Sequence, residues 1–319
     1  ATLFNNKLDI EASFYQKNTT DLILDLPVPY TTGFSSIPTN VGEMKNTGID
    51  LNITSTNLDM EGFKWTTNFN IGFLKNEVTK LPENADPDGN NFVAGSASQR
   101  AIVGQTVNTF YLIRYNGVNP ETGDAEWLTK DGEVTNSPTA NDRVVVGSAI
   151  PDFTGGITNT FSYKGLELQA FFTFVQGNKL FVGDRRFSHN PAQWSGFNAS
   201  TALLDYWKNP GDQSFSPALS SPTIGRWAQR STLQLEDGSY IRLKTLSLGY
   251  TLPKEILAKT KFLNRARVYV SANNLLTFTD LKDIDPETTD SGADQQIQGE
   301  SFFTAPQAKT ITVGISLGF

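Results

Sequence analysis

The feature that most constrains the fold is an alternation of apolar and polar side chains that recurs along the 319-residue chain. Because successive side chains of a β-strand point to opposite faces of a sheet, this alternation predicts strands with one apolar and one polar face. Eight segments show it, namely residues 3–16, 45–56, 62–76, 155–164, 165–176, 239–252, 265–278 and 307–319. The chain is therefore predicted to be all-β.

The connections between these segments alternate strictly in length. Short links fall at residues 57–61, 164–165 and 253–264, and long ones at residues 17–44, 77–154, 177–238 and 279–306. Barrels of the bacterial outer membrane have short periplasmic turns and long extracellular loops. The pattern thus predicts an arc of about eight strands of a transmembrane antiparallel up-and-down β-barrel, with long extracellular loops and both chain ends on the periplasmic side.

Two of the segments carry a more specific prediction. Residues 3–16 place Phe4 on the apolar face with the alternating apolar residues that follow. In residues 239–252, Arg242 and Lys244 share a parity with the leucines further along. That strand must leave the apolar zone, or contain a β-bulge, near its start.

Composition narrows the functional classes. No stretch reaches the ~20 apolar residues of a membrane-spanning helix, which excludes a helical membrane protein. The absence of cysteine excludes disulfides, thiolate metal sites and cysteine nucleophiles. A net charge of −7 argues against nucleic acid as a partner. The single histidine, His189, offers little for a catalytic triad, so no enzymatic activity is predicted.

Five long stretches carry a resemblance to a known family. They are "NVGEMKNTGIDLNI" (40–53), "YNGVNPETGDAEW" (115–127), "DRVVVGSAIPDFTGGITNTFSYKGLEL" (142–168), "LEDGSYIRLKTLSLGYTLP" (235–253) and "ARVYVSANNLLTFTDLKDIDPE" (266–287). In this order they resemble the SusC/RagA-like TonB-dependent transporters of Gram-negative outer membranes. In that family a plug domain is followed by a barrel of the 22-stranded class. By resemblance, residues 1–319 are expected to form the C-terminal portion of the barrel, with the plug domain and the N-terminal barrel strands absent from this chain.

The resemblance also implies a function and partners. It implies TonB-dependent active import of a nutrient across the bacterial outer membrane, with an oligosaccharide as the first expectation for the cargo and a peptide as the second. The implied partners are a SusD-like surface lipoprotein, the remaining barrel and plug segment, the TonB complex acting through that missing part, and outer-membrane lipid.

The last strand ends on an aromatic residue. Its apolar stripe includes Val313, Ile315, Leu317 and Phe319, opposed by small and polar residues. The resemblance implies that this stripe is the signal by which the outer-membrane assembly machinery recognises the closing strand. An ordinary closing strand, with Phe319 in the periplasmic aromatic girdle, is compatible with the same pattern.

The loop at residues 177–238 is the best candidate for contacting ligand or partner, because exposed aromatics can stack on sugar rings. Its candidate residues are Phe187, His189, Trp194, Phe197, Tyr206, Trp207 and Trp227. The alternative is that these rings pack the loop against itself, the plug or the partner. The apolar stretch at residues 104–118 has two interpretations, a hairpin arm folded against lumen or plug, or a strand extended above the membrane.

No cofactor is predicted, although the sequence leaves open a calcium site in an extracellular loop. Residues 86–90, 119–124 and 130–133 resemble fragments of calcium-binding loops, but the same sequences form ordinary turns and none has the full ligand spacing. Two other architectures are alternatives: a stand-alone eight-stranded barrel or surface-binding module without active transport, and a soluble β-sandwich that serves as an enzyme or adhesin.

Overall fold

The computed structural model describes residues 1–28, 30–34, 36–83, 96–192, 198–259, 262–289 and 298–319. Its strands are β1 (Thr2–Leu3), β2 (Leu8–Thr19), β3 (Ile23–Pro27), β4 (Ser36–Asn40), β5 (Glu43–Met60), β6 (Phe63–Lys80), β7 (Gln99–Arg100), β8 (Thr109–Val118), β9 (Ala125–Leu128), β10 (Val134–Thr135), β11 (Arg143–Ser148), β12 (Phe153–Tyr163), β13 (Leu166–Gln176), β14 (Lys179–Val182), β15 (Leu235–Asp237), β16 (Tyr240–Thr251), β17 (Arg265–Thr279), β18 (Glu300–Ser301) and β19 (Thr310–Gly318). Two short α-helices, α1 (Arg185–Ser188) and α2 (Lys254–Leu257), and five 3₁₀ turns complete the described elements; the turns lie at Tyr30–Thr32, Ala140–Asp142, Thr201–Leu204, Ile224–Arg226 and Thr232–Gln234. None of the helices within the described ranges is long and apolar enough to cross a membrane.

Nine of the strands form one antiparallel sheet, here called the wall sheet. Its order is β1-β2-β5-β6-β12-β13-β16-β17-β19, so each strand pairs with the wall strands before and after it in the chain. Eight of these strands are the predicted ones, and the short and long connections fall where the sequence places them. The prediction of an up-and-down sheet is therefore confirmed.

The pairing registers carry the side-chain alternation across the wall sheet. One row on the apolar face runs Ile10–Ile53–Phe69–Ile157–Phe172 through five strands. Because all ladder partners are antiparallel neighbours at the same height, the apolar side chains of adjacent strands merge into one continuous surface. Phe69 and Phe174 stack on it with ring centroids 6.2 Å apart. The opposite face carries the polar and small residues.

The first strand starts later than the sequence predicts. Phe4, Asn5 and Asn6 all have positive φ, near 54°, 54° and 66°, and turn the chain so that Leu3 pairs with Leu8. Asparagine tolerates this left-handed region better than most residues, which is why the turn forms at an Asn pair. Phe4 lies in the turn between β1 and β2, outside either strand, so its predicted place in the apolar stripe of the strand is wrong.

The predicted bulge in β16 is confirmed. Phe171 and Phe172 of β13 face Thr245 and Leu243, which leaves Lys244 as an extra residue. Because of this extra residue, each residue of β16 before Lys244 lies on the face opposite to the one that its sequence parity predicts. Arg242 therefore lies on the polar face, although it shares its sequence parity with Leu246.

The long connections fold into further strands, here called the loop layer. β8 pairs with β7, β9 and β11, and β14 pairs with β15 and, in parallel, with β18. Two apolar clusters hold the layer, one around Phe110, Leu112 and Phe181, the other around Trp127 and Trp227. Residues 104–118 thus contribute the buried strand β8 to this layer and no strand to the wall sheet.

Candidate ligand-binding site

A buried ion network lies where the polar face meets the loop layer. Arg242 is 2% exposed and pairs with Thr173 and Thr277 across the wall sheet. Its Nη2 lies 2.5 Å from Asp285 Oδ1, and its Nη1 lies 2.8 Å from Glu287 Oε2. Lys244, the bulge residue, places its Nζ 2.6 Å from the same Glu287 oxygen. Two cations and two carboxylates therefore balance within the network.

The network anchors the segment that returns from β17 to β19. Burial opposes ionisation of Asp285, but hydrogen bonds from Arg242 and from the backbone N–H groups of Glu287 and Gln307 outweigh it, so the pKa of Asp285 lies below its ordinary value. The carboxylate is consequently charged at neutral pH. The "DIDPE" sequence at 283–287 thus folds as a clasp over Arg242.

A cavity of about 520 Å³ opens beside the clasp, and we call it the Arg242 cavity. It is lined mainly by polar residues of β16, of β17, of the segment after β14 and of the returning segment. Its lining includes Asp184, Arg242, Asn274, Asp283, Ser301 and Thr304. Three buried polar atoms of this lining have no hydrogen-bond partner within the described residues: Asp184 Oδ1, Arg242 Nε and Asn274 Oδ1. Burying such atoms lowers the stability of the folded protein unless another group forms hydrogen bonds with them.

Three phenylalanines form a cluster around the segment that contributes Ser301 and Thr304 to this cavity. Phe302 and Phe303 lie between the lining residues Ser301 and Thr304. Phe187 places its ring 5.6 Å from that of Phe302 and 6.3 Å from that of Phe303. The parallel pairing of β14 with β18 brings these distant segments together.

Sequence reasoning identified Phe187 but missed its two partners. Phe302 is 45% exposed and Phe303 57% exposed, and Phe303 has a positive φ of 49°. An exposed pair of large apolar rings in a strained backbone is uncommon. The available signal was the dipeptide Phe302-Phe303 within an otherwise polar loop.

A second cavity of about 360 Å³ adjoins the first, and we call it the His189 cavity. Arg185, His189, Phe215, Glu236 and Asp283 are among its lining residues, and Asp283 also lines the Arg242 cavity. Burial, aided by the positive charge of Arg185, holds the pKa of His189 below its ordinary value. The imidazole is therefore neutral at pH 7, with Nδ1 3.0 Å from Ser188 Oγ.

The other candidate aromatics lie elsewhere in the loop layer. Trp227 is 1% exposed, and its Nε1 donates to the carbonyl of His189 at 2.5 Å. Trp207 is half-buried and donates to the carbonyl of Pro120 at 2.7 Å, next to Tyr206. Trp194 and Phe197 lie outside the described residues. The structure thus brings Phe187 and His189 to cavity borders, and ligand contact by any member of the set stays a prediction.

Comparison with known proteins decides the family. The family model described as "TonB dependent receptor-like, beta-barrel" matches residues 1–275. The chain belongs to this family. TonB-dependent receptor P3 of Formosa agariphila is 31% identical over 99% of this chain, and TonB-dependent receptor SusC of Bacteroides thetaiotaomicron is 26% identical over 96% of it.

Solved structures agree with this assignment. The RagAB peptide transporter matches 100% of the chain with a TM-score of 0.85 and 31% identity. The RagAB peptide importer in its "open-open" state matches with a TM-score of 0.84 and 32% identity. The chain covers 34% and 33% of those two chains, and it spans about a third of the length of the curated relatives it matches, 33% for P3 and 29% for SusC. The wall sheet is therefore part of a TonB-dependent receptor barrel.

Side chains in the turns that resemble calcium loops accept hydrogen bonds from nearby backbone N–H groups. Asn119 Oδ1 accepts hydrogen bonds from the N–H groups of Glu121 and Thr122, and Asp142 accepts from the N–H groups of Thr139 and Lys130. Residues 130–133 close an ordinary turn through a bond from Gly132 N–H to the Thr129 carbonyl. Residues 86–90 lie outside the described part of the chain.

The closing strand of this receptor barrel fragment is exposed along its apolar stripe. Val313, Ile315 and Leu317 are 73%, 68% and 50% exposed, and Phe319 is 78% exposed. β19 pairs with β17, as an up-and-down order requires, and its other edge has no partner within the described residues. The ring of Phe319 stacks on Phe262 at 6.3 Å.

Proposed function

We propose that this chain is the C-terminal part of the barrel of an outer-membrane importer that takes up a nutrient by TonB-dependent active transport. The observation that carries the proposal is the wall sheet itself, a meander with a continuous apolar face, a polar opposite face and long connections at one end only. An apolar face of this kind suits lipid, and a polar face suits an aqueous lumen. Membership of the TonB-dependent receptor family supports the proposal that TonB supplies the energy for import.

The fragment would supply lipid-facing wall, lumen lining and extracellular loops. A SusD-like surface lipoprotein is proposed as the partner that closes the extracellular end, supported by the similarity to SusC and to RagAB. The plug and the upstream strands would come from the rest of the transporter. The proposed cargo is an oligosaccharide or a peptide.

Uptake by intact cells tests the proposal. Cells expressing the complete transporter are expected to accumulate a fluorescent oligosaccharide or peptide, and to lose this uptake when TonB is deleted or when the plug is removed from the gene. Co-purification of a surface lipoprotein encoded beside the transporter tests the proposed partner. Uptake that persists without TonB would contradict active import.

The stand-alone barrel is the second candidate, and purification separates it from the first. We expect residues 1–319 expressed alone to give no stable heat-modifiable monomer in detergent, because the last strand has no partner on one edge in the described residues. A stable 35 kDa barrel made from these residues alone would favour the stand-alone module.

A further inference from the structure

We infer that the Arg242 cavity binds the amino-terminal residue of a peptide, with its ammonium group held by Asp184 and Asn274. The inference rests on the proposed function, since it names a cargo class and a subsite for the importer. It starts from the three buried atoms without partners, two acceptors and one donor, which line one cavity of about 520 Å³.

The charges of the lining select a cation. Arg242 is neutralised by Asp285 and Glu287, and Lys244 shares Glu287 with it. Asp184 and Asp283 form no ion pair within the described residues, and Lys309 is the remaining cation of the lining. The unbalanced charge is therefore negative, and a buried carboxylate oxygen attracts a group that is both charged and a donor.

The mixture of donor and acceptors fits a peptide end. A terminal ammonium supplies hydrogen bonds to Asp184 Oδ1 and Asn274 Oδ1, and the carbonyl of the same residue can accept from Arg242 Nε. The first residue of a peptide thus carries the required donor and the required acceptor only a few covalent bonds apart. Sugar hydroxyls can also donate and accept, but they carry no charge to balance the carboxylates.

The aromatic border completes the match. Phe187, Phe302 and Phe303 offer rings without polar atoms, and Phe302 and Phe303, which are 45% and 57% exposed, lie in the chain between the lining residues Ser301 and Thr304. An apolar side chain on the first residue of the peptide would bury this surface, which is favourable because apolar area is removed from water.

The test compares two matched peptides on the complete transporter purified in detergent. The probes are Phe-Ala-Ser-Ala-Gly-Ser with a fluorophore at its carboxyl end, and the same peptide with an acetylated amino end. Fluorescence anisotropy is expected to give about tenfold tighter binding of the free-amine peptide. In Asp184→Asn this preference is expected to fall to within about twofold, because the isosteric amide removes the charge and keeps the shape.

Two further variants separate binding from folding. Phe302→Ser is expected to weaken both peptides by a similar factor, since the ring contacts the side chain and not the amine. Asp131→Asn, in the exposed turn at residues 130–133, is the matched control and is expected to leave the preference unchanged. Each variant is first shown to keep the heat-modifiable band of the wild type.

Defined results would overturn the inference. Equal binding of both peptides by the wild type, an unchanged preference in Asp184→Asn, or no binding of either peptide would each reject it. Displacement of the peptide by maltoheptaose that depends on Asp184 would assign the cavity to a glycan. TonB-dependent uptake measured in the same strains distinguishes the two levels: import without amino-end preference rejects the subsite alone, whereas absence of TonB-dependent import rejects the proposed function.

Discussion

The ring of Tyr269 covers Gly314, its register partner on the neighbouring strand β19. Any side chain at position 314 would overlap the Cζ and hydroxyl end of that ring. Both residues lie on the polar face, opposite the exposed stripe of Val313 and Ile315. An aromatic ring laid over a strand glycine pins the register of a strand, which matters most at an edge with one partner.

Gly314→Ala is therefore expected to destabilise the barrel by about 1–3 kcal/mol, because the ring must leave its rotamer or the strands must separate. Tyr269→Ala reopens the space, so the double variant should lose less than the sum of the single losses. The measurement is the temperature at which the purified complete transporter loses its heat-modifiable band. Gly225→Ala is the control, since nothing lies within 4 Å of a Cβ there. Equal melting of the two glycine variants would contradict the prediction.

The wall sheet could be predicted from the sequence because its signal is local. A period of two and a change in loop length are both visible without knowing any partner strand, and even the bulge at Lys244 follows from the parity of Arg242. The turn at Asn5 was missed because Phe4 and Leu8 share a parity, although Asn6 between them breaks the alternation and asparagine favours the left-handed region.

The Arg242 cavity could not be predicted in the same way. Asp184, Arg242 and Asn274 come from three segments that meet only because β14 pairs with β18 and because the clasp at 283–287 folds back over the wall sheet. These are long-range pairings between short strands, and two-residue strands such as β18 leave no periodic pattern. The aromatic residues of the loop gave a signal for the region but not for which rings would be buried, as Trp227 is.

Replacing the terminal aromatic tests the assembly signal that was predicted for Phe319. Phe319→Asp is expected to lower the amount of transporter at the cell surface several-fold, while the few molecules that assemble transport normally. Phe262→Ser removes the stacking partner of Phe319 and leaves the terminal residue in place. A recognition role requires that Phe319→Asp be much the more severe of the two. Surface labelling gives the measurement, and normal surface levels of Phe319→Asp would count against the signal.

Because of the clasp, the stability of the folded protein should depend on Arg242 and on pH. Arg242→Met removes the buried cation of the network and leaves Asp285 without an ion pair, although Glu287 keeps Lys244, so the expected loss is about 3–5 kcal/mol. Thermal unfolding of the complete transporter measures it, with Arg226→Met as the exposed control. A loss equal to that of the control would show that the clasp contributes nothing.

The pH dependence has a definite sign. The pKa of Asp285 is depressed in the folded state, so this group stabilises the protein fully above its unfolded pKa, about 3.9, and that contribution is lost as the pH falls through the lower folded value. Asp285→Asn lacks the contribution at every pH. Its unfolding temperature should therefore fall less steeply below about pH 4 than that of the wild type. Parallel curves would contradict the assignment.

At residues 119–142 we expect no stabilisation by calcium. The oxygens of Asn119 and Asp142 already accept backbone N–H groups, at 2.9 Å from Glu121 and 2.7 Å from Thr139, and a carboxylate in use as an acceptor offers little to a cation. Hydrogen bonds from Thr139, outweighing a smaller opposing effect of burial, hold the pKa of Asp142 below its ordinary value. Unfolding temperatures with calcium and with a chelator should agree for the wild type. A calcium-dependent rise that Asp142→Asn abolishes would show a site here.

One row of the apolar face contains a polar side chain, that of Asn159, where the alternation predicts an apolar one. Asn159 has the same parity as Ile157 and Phe161, and its Oδ1 accepts from Thr67 Oγ1 at 2.7 Å and from Trp65 Nε1 at 3.0 Å. Asn57 donates to the same Thr67 hydroxyl at 2.7 Å. Sequence alone shows three polar residues in separate strands. The register that places Thr67 opposite Asn159 turns them into a satisfied network.

In a lipid-facing position that network should be stabilising only as a whole. Asn159→Val leaves the Thr67 hydroxyl and the Trp65 indole without their acceptor where water is scarce, so a loss of about 1–3 kcal/mol is expected. Adding Thr67→Val removes one of the stranded groups, and the double variant should recover part of the loss. Thr160→Val, on the polar face of the same strand, is the control. The temperature of barrel unfolding in lipid vesicles gives the measurement, and a double variant that is less stable than Asn159→Val alone would contradict this account.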